Sequence, residues 1–503
     1  MEGRKSRTAI EAAARHPLAW ILLLAALVRL CTLPLHGFHH PDEIFQYLEQ
    51  AHRLAIGYGV VPWEYRAGIR HWLLPILLSG PMWLGEKLGG EPSFTIPFVR
   101  GFVALVSLTI PLSLYVIGRR ISPLHGMLAG LVGAVWYELV HFSTHPLSEP
   151  FALSLIMPAF AIAGSPGAKP RILALAGLLF GLAILVRFQM APAIATLILV
   201  GCWSRWRETF LPLALGGAVA LLIGAAVDLA TGIVPYSWVW KNFAINIGEG
   251  RAATYGVSGP FFYLGTIASV WSVAILLLFP LAWAGARRQP ALFAAAVVHL
   301  LLHSLIGHKE YRFVLFTTSA LVLLAALGSA NLVRWIDRTR PRIAIRYLVA
   351  AAAAIWVAAS AALAVGSGYR PLWTANRPAL QSAMAAGRDA GLCGLAIYDV
   401  HPSRTGGYSY LGRPIPIFLY ERDAAVGLRN GAPAYNMIMT PFRNEAAVPG
   451  PFGRLSCTGR DPASAMCLYR RSGRCSGEIN DQEINRTIGG STPGSPSVRR
   501  LRS

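Results

Sequence analysis

Apolar stretches of roughly 17 to 25 residues, each long enough to cross about 30 Å of hydrocarbon as a helix, recur along most of the first 366 residues. A chain written this way has few options, because in lipid every backbone N–H and C=O must be satisfied by a helix or by a closed barrel. A barrel would show short alternating segments instead. The pattern therefore predicts an all-α, polytopic membrane protein. Composition agrees: 54% of the residues are hydrophobic and only 14% are charged, which excludes a soluble protein of several domains.

The formal charge of +21 invites a nucleic-acid reading, but the basic residues sit mostly in short loops between spans and in the polar C-terminal region. Positive-inside topology explains the loop share, so no nucleic-acid partner is expected. With basic flanks taken as cytosolic, residues 1–16 form a cytosolic N-terminus and residues 17–35 an uncleaved first span running outward. The stretch 71–88 holds two prolines, Glu86 and Lys87. Laid flat at the membrane surface, it lets the later basic loops, from Arg119 and Arg120 to the RWIDRTRPRIAIR run, fall on one side. Ten more spans follow, near residues 97–117, 123–140, 146–163, 172–186, 190–202, 210–230, 261–284, 291–306, 313–330 and 348–365. That gives about eleven crossings and one interfacial helix in a membrane domain over 17–366.

From about Ser367 the composition changes, with short β-like runs at 395–400, 415–420, 435–440 and 466–471 separated by Gly, Pro and Asn. We expect a small exoplasmic α/β or mostly β domain over 367–475 and a disordered polar tail over 476–503. Cys393, Cys457, Cys467 and Cys475 lie there without CxxC spacing, so one or two disulfides are expected if the domain faces an oxidising compartment.

The most polar stretch of the membrane region is the loop after the first span, over residues 36–96. Within its segment 39–75 it carries His39, His40, Asp42, Glu43, Glu49, His52, Arg53, Glu64, Arg66, Arg70 and His71 among Phe45, Tyr58, Trp63 and Tyr65. Asp42 or Glu43, outside the hydrocarbon, can serve as general base on a hydroxyl. They can equally cap the helix that starts at Pro41; aromatic platforms and cations suited to a sugar phosphate favour chemistry.

The His308-Lys309-Glu310-Tyr311-Arg312 run offers donors to a phosphate, and Arg can engage two oxygens at once. It can also be a plain charged turn. Arg187 and Asp228 lie near span ends, where they pair with each other, snorkel or serve a site; a charge at the helix centre costs roughly 2.5 to 3.5 kcal/mol. His145 and Glu149 open the helix at Pro146, as caps or as site residues.

The spacing HPDE-x-F-Q-x-L-E-x-A-H, followed by GYG-x-x-P-W-E-Y, Ile69-Arg70 and Pro75, and later HKE-x-RF at His308 to Phe313, resembles the two motifs of glycosyltransferase family 22. These are the polyprenyl-phosphate-mannose-dependent mannosyltransferases of the GT-C group, which includes the GPI-anchor and lipid-linked-oligosaccharide enzymes. The resemblance implies a GT-C fold and an inverting transfer on the exoplasmic face. A sugar, mannose by this analogy, passes from a polyprenyl phosphate donor to a hydroxyl of a glycan or glycolipid acceptor.

It further implies Asp42 as base and Glu43 as an orienting or acceptor-binding carboxylate, with Arg312, Lys309, His308 and Arg70 for the donor phosphate. His40, Gln46, Trp63, Glu64, Glu149, Arg187, Asp228 and Glu310 are the further substrate contacts. One lipid phosphate can be held by Arg and Lys alone, so neither a cofactor nor a metal is invoked; the lipid-phosphate sugar is a co-substrate.

The chain departs from the eukaryotic pattern at residues 143–149, STHPLSE. Its Ala-, Arg- and Gly-rich composition suggests a bacterial protein of the inner membrane, with the site facing the periplasm; in a eukaryote the expectation is the ER membrane with the site on the lumenal face. The alternatives are a GT-C transferase for another sugar or a protein hydroxyl, and a lipid-linked-sugar transporter.

Overall fold

The structure is a computed structural model that describes residues 16–35, 37–366, 368–459, 461–462 and 464–489. It divides into two compact units, one of residues 16–34, 71–74 and 100–373, the other of 35–70, 75–99 and 374–489.

The first unit is a helical bundle. Among the described residues, six helical segments are long and apolar enough to cross a membrane: Pro17–Leu35, Pro92–Arg119, Trp203–Ala230, Phe262–Ala286, Tyr311–Thr339 and Ile345–Val365. Five shorter apolar helices accompany them, at Pro123–Val135, Ser148–Ala163, Pro170–Val186, Phe188–Gly201 and Pro290–Leu305. The chain is thus a multi-pass integral membrane protein. Leu73–Gly89, the stretch expected to lie flat, is a helix outside both sets.

Tyr311–Thr339 is the axis of the bundle. Its apolar window is 94% buried, against 11 to 56% for the other five, which keep large apolar side chains for lipid. Close approach to this axis is built on glycine. A Cβ on Gly285 would lie 1.9 Å from the Leu324 carbonyl oxygen, and one on Gly328 would lie 2.0 Å from that of Leu281. The two helices therefore pack backbone to backbone, the contact small residues permit where lipid supplies no hydrophobic drive.

The second unit is built on a five-stranded sheet of order β2-β1-β3-β5-β4. Strands β1 (Leu395–Tyr398), β2 (Ile417–Tyr420) and β3 (Met437–Pro441) are parallel, with Leu395 opposite both Ile417 and Met437. Strands β4 (Gly453–Thr458) and β5 (Met466–Arg470) join antiparallel. β1, β2 and β3 are buried throughout and read as unbroken apolar runs, as parallel strands do. β4 was not anticipated, because this edge strand is solvent-exposed and its sequence GRLSCT lacks apolar alternation.

The first loop folds with this sheet rather than with the helical bundle, where the sequence placed it. The Glu49 carboxylate, fully buried, accepts from the backbone N–H of Val60 (2.6 Å) and of Ser409 (2.6 Å), and from the Ser409 hydroxyl. The tail is likewise ordered well past 476. Ile484 is buried, Leu419 donates its backbone N–H to the Gln482 carbonyl, and the Arg66 guanidinium reaches the Asn485 carbonyl (2.6 Å). Polar composition missed this because one buried isoleucine and a few backbone bonds anchor the segment.

Cys393 pairs with Cys475 and Cys457 with Cys467, while Cys31 and Cys202 are free. The first pair closes a loop with a sequence separation of 82. Replacing Cys393 and Cys475 by serine is expected to destabilise this unit by about 2 to 5 kcal/mol. Thermal unfolding of the full chain under oxidising conditions reads it; serine at Cys31 should leave the transition in place.

Candidate functional site

In the second unit, the chain passes from Asp42 into a wide helical turn, Glu43–Leu48, and on into Glu49–Ile56. Glu43 is fully buried, and its Oε1 accepts from the backbone N–H groups of His39 and, at 3.2 Å, His40. It satisfies donors that the start of a helix leaves open. Asp42 keeps 20% of its side chain exposed. Its Oδ1 lies 3.3 Å from His40 Nδ1, but that nitrogen accepts the Asp42 backbone N–H at 3.2 Å. The imidazole thus orients the turn.

Around this turn Gln46 Nε2 donates to Glu64 Oε1 (3.0 Å), and the Tyr65 hydroxyl donates to the Gln46 carbonyl (2.8 Å). Trp63 is buried at the start of the short helix Trp63–Arg66. Burial raises the Glu64 carboxyl above its ordinary value; Asp42 adds to this and Arg70 opposes it. Burial works against the Arg70 charge, but Tyr47, Glu64, Asp42 and Tyr65 together raise its pKa. Arg70 Nε is buried without a protein acceptor among the described residues. A partly exposed carboxylate, a second carboxyl held toward its neutral form and a guanidinium form one electrostatic group.

In the first unit a second polar cluster is set in the helical bundle. Glu149 is fully buried in the first turn of Ser148–Ala163, and its Oε1 receives both Arg187 Nη1 (2.9 Å) and Arg312 Nη1 (2.7 Å). Arg312 Nε also meets Glu310 Oε2 at 2.6 Å. Both guanidiniums lie 4.9 Å from the Phe313 ring, a cation–π arrangement. Two arginines converging on one carboxylate oxygen make the kind of donor set that also fits a phosphate oxygen.

The rest of the HKE segment braces this cluster. His308 Nδ1 faces the Gly256 carbonyl (3.2 Å) and Nε2 faces Glu310 Oε1 (3.0 Å), so both nitrogens donate and the ring is cationic. The bond to Glu310 raises its pKa, against the desolvation that lowers it. Because the folded value is the higher one, the pair stabilises fully below the ordinary 6.5 and loses its contribution as pH climbs through the raised value. The thermal-stability gap between wild type and His308→Asn should therefore be widest below pH 6.5 and close as pH rises through the raised value. Lys309 spends its ammonium on the Ser258 carbonyl (3.0 Å) and on the Ile306 carbonyl at the end of Pro290–Leu305. It ties a helix terminus down, a task its place in a motif does not disclose.

Arg187 and Asp228 do not pair with each other. Asp228 takes the Tyr236 backbone N–H (2.8 Å) and Trp238 Nε1 (3.2 Å) on Oδ2, with His71 Nε2 3.5 Å from Oδ1. It anchors a loop. Sequence reasoning also passed over Glu138, whose carboxylate receives Trp136 Nε1 (2.8 Å), Trp271 Nε1 (2.9 Å) and the Tyr311 hydroxyl. The signal was available, a lone acid between Trp136-Tyr137 and an apolar run.

The family described as Alg9-like mannosyltransferases matches residues 20–381, a span that holds both clusters. The chain belongs to that family. Over 341 residues it is 24% identical to the alpha-1,2-mannosyltransferase alg9 of Schizosaccharomyces pombe, covering 61% of this chain and 58% of that one. A 64-residue stretch is 41% identical to GPI mannosyltransferase 3 of Drosophila melanogaster, covering 12% and 11%. The chain thus matches between about a tenth and three fifths of the length of these relatives. Among solved structures, ArnT from Cupriavidus metallidurans bound to undecaprenyl phosphate aligns with a TM-score of 0.61 at 15% identity, over 92% of this chain and 99% of that one. The apo form gives 0.60 over 95% and 100%. The family chain therefore carries the expected GT-C fold.

Proposed function

We propose that this protein is an inverting glycosyltransferase that moves mannose from a polyprenyl phosphate to a hydroxyl of a glycan or glycolipid. The observation that carries the reading is the pair of buried arginines, 187 and 312, sharing one oxygen of Glu149 beside the HKE segment. Arg312 and Arg187 hold the donor phosphate in this scheme. Glu149 and Glu310 keep both guanidiniums in place before the donor arrives. Asp42 removes the proton of the acceptor hydroxyl, which then attacks the anomeric carbon as the carbon–oxygen bond to the phosphate breaks, with inversion. The polyprenyl phosphate leaves with the electron pair, stabilised by the guanidiniums. Glu43 and His40 position Asp42, and Arg70 and Glu64 set the field around it.

Family membership supports mannose as the sugar, and the two disulfides support an exoplasmic placement of the second unit. A lipid-linked donor is supported by the undecaprenyl phosphate bound to ArnT, a protein of the same fold.

The test supplies membranes containing the protein with radiolabelled polyprenyl-phosphate mannose, and separately with other lipid-phosphate sugars, in the presence of the native acceptor pool. Label should pass from the mannose donor into a lipid or glycan product. Transfer from a different sugar alone would contradict the mannose assignment.

A further inference from the structure

His299 and His303 stand one turn apart on Pro290–Leu305, with ring centroids 4.2 Å from each other. They are 1% and 5% exposed. Their tautomers follow from their partners. The Thr317 hydroxyl donates to the Ala296 carbonyl (3.1 Å), so at 3.0 Å it must accept from His299 Nδ1. His303 Nδ1 faces the His299 carbonyl at 2.9 Å and must donate as well. In the neutral rings both Nε2 atoms then carry a bare lone pair, and neither has a hydrogen-bond partner among the described residues.

Arg187 is close enough for its charge to act on both rings. Its own Nε–H, also buried, lacks an acceptor among the described residues. Phe313 lies under Arg187, and Phe316, three residues further along the chain, meets the His299 ring at 5.3 Å. Buried polar atoms left without partners call for an explanation. Two acceptors and one cationic donor, gathered in one place, match a molecule that offers hydroxyls beside an anionic or ether oxygen.

We propose that His299 and His303 form a sugar-recognition site, accepting hydrogen bonds through Nε2 from hydroxyls of a hexose, while Arg187 Nε donates to an oxygen of the same ligand. The inference rests on the transferase reading for its choice of sugar. Hydroxyl recognition by buried acceptors discriminates strongly, because a ligand without the hydroxyl leaves them unpaired. The hexose is that of the lipid-linked donor or that of the acceptor, and the test separates the two.

The decisive measurement is binding to the full-length protein in detergent, which needs no turnover. Wild type, His303→Asn and His303→Gln are titrated with polyprenyl-phosphate mannose and with bare polyprenyl phosphate. Asparagine keeps a donor near the Nδ1 position and removes the acceptor at Nε2; glutamine carries an amide oxygen further out. For a donor site, wild type should prefer the mannosylated lipid by about tenfold or more, and asparagine should erase that preference. Glutamine should restore part of it, with affinity for the bare lipid unchanged in all three. That unchanged affinity also certifies the fold.

For an acceptor site the preference for the mannosylated lipid is the same in every variant. Methyl α-mannoside, added with the bare lipid, should then bind wild type and not His303→Asn. If the variants match wild type in both arms, the rings are satisfied by water or by repacking and the inference is overturned. Failure to move labelled mannose would sink the transferase reading while leaving this binding comparison decisive.

Discussion

Replacing Glu149 by glutamine is expected to destabilise the helical unit by about 3 to 5 kcal/mol and to abolish transfer. Its carboxylate is the shared counter-charge of Arg187 and Arg312, all three being nearly or fully buried. Removing one partner of a buried ion pair leaves an uncompensated charge, which costs far more than the pair contributes. Glutamine retains the shape and one acceptor oxygen, so the loss isolates the charge. Arg312 retains the Glu310 carboxylate (2.6 Å), whereas Arg187 retains the uncharged Ser148 hydroxyl (3.2 Å) and the Phe313 ring. Arg187 is therefore the more destabilised of the two. Thermal unfolding in detergent reads the effect; an unchanged midpoint would show that the bundle does not depend on this carboxylate.

Asp42→Asn is the second large effect and differs in kind. Asp42 is partly exposed and faces the His40 ring at 3.3 Å. Its backbone N–H bond to His40 survives the substitution. Expression, membrane insertion and unfolding temperature should match wild type while transfer falls by about 10² to 10⁴, the usual contribution of a positioned general base. Glu43→Gln should behave otherwise. It weakens the carboxylate that holds the backbone at His39 and His40, so stability and activity should fall together. That contrast separates a residue that moves a proton from one that holds the turn.

Much of this architecture is written locally. Hydrophobic length marks helices without any tertiary knowledge, and the apolar stretch expected at 313–330 is the buried axis Tyr311–Thr339. The apolar runs of β1, β2 and β3 are equally legible. What sequence does not carry is which distant groups meet. Glu49 looks like one more acid on a polar helix until Ser409, 360 residues away, is placed on it. Lys309 reads as a phosphate ligand, and the sequence does not show that its ammonium also holds two backbone carbonyls. Arg187 and Asp228, each a costly charge near a span end, could pair, snorkel or serve a site; Glu149 and His71 are the groups that face them. A local window prices a charge correctly and leaves its partner open.

The central claim is that Asp42 activates an acceptor hydroxyl against a sugar on a polyprenyl phosphate. Its most direct test is the initial rate of mannose transfer from radiolabelled polyprenyl-phosphate mannose, with wild-type and Asp42→Asn protein at matched levels in membranes that hold the native acceptor. The account predicts a labelled product with wild type and a loss of at least about a hundredfold with the variant, both proteins unfolding at the same temperature. Undiminished transfer by Asp42→Asn would contradict it.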